Sequence, residues 1–183
     1  MRRFTILAAA MALAVAAASA QSATAIAEKP AILTAVGQSA DMEMVKVLLN
    51  RSKVPFTADP LVKAASLPGG AKTLVLTVGG SSKGLGAAGI SVDDEMARSK
   101  ALIKRAKELG MKIIVVHVGG EARRGTLSDA FIEACVPAGD LVIVVEDGDK
   151  DGLFERLAAP SGIAVVKVPK ITAAGAPLAA AFK

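Results

Sequence analysis

The chain has 183 residues, 52% hydrophobic and 21% charged, with eight prolines, which excludes a disordered tail and fits one compact domain with a real core. With no Trp, no Tyr and five Phe, it has few aromatic platforms for stacking on sugars or bases. Two of the 22 basic residues fall in the first 20 positions, which hold no acid; the remaining 20 face 17 acidic residues, a net +3 that does not indicate nucleic acid.

Met1-Arg2-Arg3 is a short basic start, and Phe4 to Ala18 is an apolar, alanine-rich stretch interrupted only by Thr5. Ala18-Ser19-Ala20 offers small residues for cleavage, and Ala25-Ile26-Ala27 is a second option. Residues 1–20 therefore read as a signal peptide, with cleavage alternatively after residue 27, followed by a single α/β domain over 28–183. The stretch is too short and too rich in alanine for a membrane span, so no stable membrane insertion is expected after cleavage. No Cys near the cleavage region offers a lipid attachment point. One Cys and one His exclude an intrachain disulfide, a thiolate zinc cluster and a multi-histidine metal site, and no cofactor is expected. Export without disulfides points to the periplasm or a secreted location.

The elements then alternate. Ala31 to Val36 reads as a buried strand, running through Gly37-Gln38-Ser39 into a helix from Asp41 to Leu49, with Ser39 as its cap. Val54 to Thr57 suits a short edge strand, where Pro55 is tolerable, and Pro60 to Ser66 a weak helix or loop. Thr73 to Val78 is a second strand, followed by a long Gly/Ser loop to Ile90. Ser91, with Asp94 three residues on, opens an amphipathic helix through Leu109 that Gly110 stops. Lys112 to Val118 is a strand, Thr126 to Cys135 a helix, Leu141 to Val145 a strand, and Asp151 to Ala158 a helix. Ile163 to Val168 is a last strand and Ala173 to Phe182 a poorly patterned terminal helix.

Strands apolar on both faces, alternating with helices, predict a three-layer α/β sandwich. Its sheet is mainly parallel, with five or six strands in a flavodoxin-like or Rossmann-like order. Ligands of such sheets sit outside the C-terminal strand ends. Those ends carry Gly37-Gln38-Ser39, Gly79 to Gly89, Gly119 to Gly125, and Glu146 to Asp149, and nearly all the unusual chemistry lies there.

Several motifs are incomplete. Gly84-x-Gly86-x-x-Gly89 matches the dinucleotide glycine pattern, but the reading above leaves it too far from its strand and puts the helix after the third glycine. Gly80-Ser-Ser82-Lys-Gly84 fits G-x-S-x-G, yet the expected helix comes late and the only His lies inside a strand. His117 shares a strand face with Ile113 and Val115 and reads as a core histidine. Asp147-Gly-Asp149-Lys-Asp151-Gly152 opens like a calcium loop, but Ala158 stands where the bidentate Glu belongs, so an acidic helix-capping turn is the better reading. Cys135, four residues after Phe131, reads as core.

The most distinctive loop is Glu121-Ala-Arg123-Arg124-Gly125, where two guanidiniums precede a helix start and suit a carboxylate or phosphate. The competing reading is a solvated basic loop in which Glu121 pairs one of the arginines. Lys83 with the Ser81 and Ser82 hydroxyls would complete an anion site, and Gln38 and Ser39 would line the adjoining crevice. The segments Gly37–Val45, Val78–Gly89, Val118–Gly125 and Val145–Phe154 resemble a family of small exported bacterial proteins of unknown function. The resemblance implies an exported domain and supplies no activity or site residue.

The expectation is a non-enzymatic exported module that binds a small anionic molecule through Gln38, Ser39, Ser81, Ser82, Lys83, Glu121, Arg123 and Arg124. Its expected partner is a membrane transport or signalling protein. The alternatives are a periplasmic hydrolase using the Gly/Ser strand-end loop, and an adaptor that binds no ligand.

Overall fold

The computed structural model describes residues 25–183, so the expected signal peptide over 1–20 lies outside the described residues. Six strands pair in parallel in the order β2-β1-β3-β4-β5-β6. They are β1 (Ala31–Val36), β2 (Phe56–Ala58), β3 (Thr73–Val78), β4 (Lys112–His117), β5 (Leu141–Val145) and β6 (Ala164–Val168). The helices are α1 (Asp41–Arg51), α2 (Ser82–Ala88), α3 (Val92–Glu108), α4 (Thr126–Cys135), α5 (Leu153–Ala158) and α6 (Gly175–Ala180). Every residue of β1, β3 and β5 is buried, as required of parallel strands covered on both sides.

The two-residue period of each strand divides the core. Leu33, Ala35, Val75, Ile114, Val116 and Ile143 face a layer that includes Val45 and Leu49 of α1 and Leu178 of α6. Ile32, Leu74, Leu76, Ile113, Val115 and Val142 face Leu102 and Ala106 of α3, Phe131 of α4 and Phe154 of α5. The fold is the predicted three-layer α/β sandwich. Of the two strand orders expected, the first five strands follow the flavodoxin-like one, with β6 added at the edge.

The chief departure is α2. The Gly/Ser stretch after β3 is a seven-residue helix starting at Ser82, where the composition predicts a loop. Ser81 caps it, its Oγ accepting from the Gly84 N–H at 3.0 Å, and Leu85 is buried beneath it. Gly84 is required by packing, since a Cβ there would collide with the Gln38 carbonyl oxygen. Tertiary contact therefore overrides the poor helix propensity of Gly84 and Gly86. Gly84 and Gly86 lie within the helix and Gly89 ends it in a left-handed turn, so the dinucleotide glycine pattern is helix backbone here, not a turn opening onto a strand end.

Smaller differences sit at element ends. Ser39 does not cap α1; the cap position is Ala40, and the Ser39 hydroxyl instead accepts from the Asp41 N–H and donates to its carboxylate. Ser91 caps α3 as predicted, its Oγ accepting from the Asp94 N–H at 3.0 Å. Single 3-10 turns replace the expected loops at Glu121–Arg123 and Glu146–Asp149.

The two ends of the described chain meet. Ala27 is fully buried, its N–H and that of Ile26 both donate to the Ala181 carbonyl, and the Lys183 N–H donates back to the Ala27 carbonyl. This junction precedes β1 and so lies at the N-terminal edge of the sheet.

Candidate functional site

In this strand order β1 is flanked by β2 on one side and β3 on the other, and the chain reverses direction across the sheet there. The crevice outside the C-terminal ends of β1 and β3 is the topological switch point where ligands of such sheets bind. The register aligns Val36 with Val78, setting Gly37-Gln38-Ser39 beside Gly79-Gly80-Ser81, and the Ser81 N–H donates to the Gly37 carbonyl at 2.8 Å.

An open cleft of about 590 Å³ lies here. Five of the predicted site residues line it together: Gln38, Ser39, Ser81, Lys83 and Arg123. Ala35, Ala40, Met42, Pro60 and Ala87 supply apolar wall. The volume suits a small organic molecule.

The β1 side of the cleft is held by a buried ion pair that sequence reasoning missed. Glu95 of α3 is fully buried and accepts from Arg98 Nε at 2.7 Å, from the Gly37 N–H at 2.9 Å and from the Gln38 side-chain amide at 3.0 Å. Arg98 in turn donates to the carbonyls of Ala35 and Val62. Buried charges are tolerated only when paired and hydrogen-bonded, and both conditions hold here. These bonds keep Gln38 in a left-handed backbone conformation at φ 58°, sparsely populated for a non-glycine residue, and such strain concentrates at functional loops. A signal was present. Glu95 is in line with Ser99, Leu102, Ile103 and Ala106 on the buried stripe of α3, and an acid on that stripe needs an internal partner.

Asp41, the first residue of α1, was also missed. Its carboxylate, 14% exposed, accepts from the Ser39 hydroxyl at 3.0 Å and faces Arg123 Nε at 3.6 Å. Gly119 makes room for this pair, because a Cβ there would lie 2.5 Å from both Asp41 Oδ2 and Arg123 Cβ. The Arg123 Nη groups have no hydrogen-bond partner among the described residues, and Lys83 is exposed with no ion-pair partner among them.

The other three predicted residues are elsewhere. Ser82 begins α2, exposed and outside the cleft lining. Glu121, expected in the anion site or, in the competing reading, paired with an arginine, instead pairs with Lys150, and the hydrogen bond from that ammonium lowers its carboxyl pKa. Arg124 is turned toward β5 and is only 13% exposed. It donates to both carboxylate oxygens of Asp151 at 3.0 and 2.9 Å, to both of Asp129 at 2.7 and 3.3 Å, and to the Gly148 carbonyl. Its guanidinium also lies 5.9 Å from the centre of the Phe154 ring. Hydrogen bonding to Asp151, then to Asp129, raises its pKa further, and in return Asp151 is lowered to about 2.

The calcium-like acids diverge in the same way. Asp147 packs against Gly120, and Asp149 accepts from the Phe154 N–H at 2.8 Å and sits 3.1 Å from Lys167 Nζ. Asp151 is bound to Arg124 and to the Leu153 N–H. The helix starts at Leu153, two residues later than expected, with Gly152 at the cap position; Asp149 and Asp151 satisfy first-turn N–H groups from before it and do not occupy the cap themselves.

With α2 starting at Ser82, the Gly80–Gly84 segment does have the strand-turn-helix context that the sequence reading denied it. The motif's serine, Ser82, nevertheless is the exposed first residue of α2 and lies outside the cleft lining, while Ser81 before it has an ordinary extended backbone at φ −142° and ψ 106° and its Oγ accepts the capping N–H. His117 is fully buried, with Nδ1 2.9 Å from the Val78 carbonyl oxygen, Nε2 3.3 Å from that of Gly120, and its ring tilted against Phe154. Both ring nitrogens thus face backbone, and neither reaches a serine hydroxyl.

Fold and cleft together define a doubly wound α/β domain whose switch-point crevice is open and lined by two cations. The chain belongs to DUF6305, a family of domains of unknown function, whose model matches residues 28–182. No curated protein and no solved structure matches it.

Proposed function

We propose that the protein is an exported, non-enzymatic binding module for a small anion, held in the β1/β3 cleft by Lys83 and Arg123 with Ser39, Ser81 and Gln38 around it. One observation carries this reading. Two cations lacking a hydrogen-bonded partner among the described residues converge on the crevice where such sheets bind ligands. A membrane transport or signalling protein would receive the loaded module.

Export is part of the same reading and rests on residues 1–20. Cleavage after Ala20 is favoured over cleavage after Ala27, because Ala27 is buried and its backbone bonds to Ala181 and Lys183. Intact-mass measurement on native material should give a mature chain starting at Gln21; an unprocessed Met1 terminus would refute export.

The binding test is a thermal-shift screen with carboxylates, phosphates and amino acids. A ligand at a hundred times its dissociation constant stabilises by about 2.7 kcal/mol, a readily visible shift. Lys83→Ala with Arg123→Ala should abolish the response. An unchanged shift in that double variant would remove the cleft from consideration, and no hit in a broad screen would favour an adaptor that docks protein alone.

A further inference from the structure

We infer that the cleft selects a monocarboxylate bearing a compact aliphatic group and rejects dianions, an inference that rests on the anion-binding reading above. The charges around the cleft are not simply positive. Lys83 and Arg123 on the lining are opposed by Asp41, which stands next to the lining against Arg123 at 3.6 Å, while Glu43, which lines the cleft, is paired with Lys46 at 3.2 Å. The two cations and Asp41 sum to a single positive charge, which one carboxylate neutralises.

Geometry sharpens the point. Asp41 sits against Arg123 Nε at 3.6 Å, leaving the two Nη groups as the edge available for a bidentate carboxylate. A ligand carboxylate bound there stands close to a fixed carboxylate that is largely shielded from solvent. One negative charge is tolerated because Lys83 and Arg123 together outweigh Asp41. A second charge meets Asp41 with no further cation among the described lining residues to offset it. The remaining wall argues for what the rest of the ligand is. Ala40, Met42, Pro60 and Ala87 offer methyl and methylene surface, and no aromatic ring is among the described lining residues.

The test compares hexanoate, adipate and inorganic phosphate by calorimetric titration of the purified full chain. Hexanoate and adipate have the same carbon count and differ in the second carboxylate. Wild type should bind hexanoate at least about tenfold more tightly than adipate or phosphate, the factor expected when one solvent-screened like-charge contact is added. In Asp41→Asn, which keeps the side chain's shape and removes its charge, that preference should fall to within about threefold. Equal wild-type affinity for hexanoate and adipate would overturn the selectivity, as would a preference that persists in Asp41→Asn; both leave the anion site standing. Failure of all three probes to bind wild type, or binding that survives Lys83→Ala with Arg123→Ala, would overturn the cleft reading itself. The wild-type ratio decides the selectivity even where Asp41→Asn folds poorly.

Discussion

Arg123 and Arg124 are neighbours in the chain, yet they occupy opposite electrostatic situations. Arg124 turns toward β5, where two carboxylates and a backbone carbonyl take up its guanidinium and join the loop after β4 to the loop after β5. Arg123 turns toward β1, has a single acid at 3.6 Å, and keeps its Nη groups free of hydrogen-bonded partners among the described residues. A structural arginine is recognised by how completely its donors are used, and a ligand-binding one by how many remain. By that measure the β4/β5 side of the sheet edge is a clasp, and the β1/β3 side keeps the free donors that the proposed receptor role requires.

Substitutions can break this contrast. The largest loss should come from Glu95→Ala, which strands Arg98 in the interior and frees Gln38. Breaking a buried pair in this way costs about 3–5 kcal/mol, readable as a lowered denaturant midpoint. Arg124→Ala comes next, with a loss of about 1–3 kcal/mol as several charge-assisted bonds disappear. Arg123→Ala should stay within about 0.5 kcal/mol of wild type while removing the ligand-induced thermal shift. Equal destabilisation by the two alanine variants would erase the distinction between clasp and receptor.

Acid titration sharpens it. Asp151 is held at about 2, below its ordinary value of 3.8, chiefly by the hydrogen bond from Arg124. A depressed folded-state pKa contributes stability above the ordinary value that is lost as pH falls toward 2. The stability difference between wild type and Asp151→Asn should therefore be constant above about pH 5 and shrink between pH 4 and 2. Because Asp151 is 55% exposed, solvent screening keeps the effect small.

The smallest expected effect is kinetic. Cys135 ends α4, is fully buried, and has its thiol pushed up to about 12 by desolvation. It should resist a thiol reagent at pH 8 in the native state and label only through opening of the fold. Arg124→Ala loosens the start of α4 at Asp129 and should speed that labelling, whereas Arg123→Ala should not.

How far the sequence told these regions apart follows from what pattern can and cannot carry. Three strands were legible to the residue because each is a short apolar run ended by glycine or an acid: Ala31–Val36, Thr73–Val78 and Leu141–Val145 match their predicted bounds. The helix at Ser82–Ala88 was not, because its formation depends on Gly84 lying flat against Gln38, a contact between segments 46 residues apart. The same limit governs the site. Topology places the four loops at one edge, but the direction in which consecutive loop side chains point depends on turns such as the one at Glu121–Arg123. Nothing in the string Glu-Ala-Arg-Arg-Gly separates the arginine that clasps from the one that faces the cleft. Asp41 was legible only as a first-turn acid, since its approach to Arg123 requires Gly119 to lack a side chain.

The junction of Ala27 with Ala181 and Lys183 has a practical consequence for orientation. Both ends of the domain emerge at one pole, and the cleft opens at the other. A fusion, an affinity tag or a surface linkage made at either end therefore holds the molecule like a cup by its base, mouth outward. Immobilising it through its C-terminus should leave the cleft open to solvent, and a reporter fused at one end is well placed to find a second fused at the other.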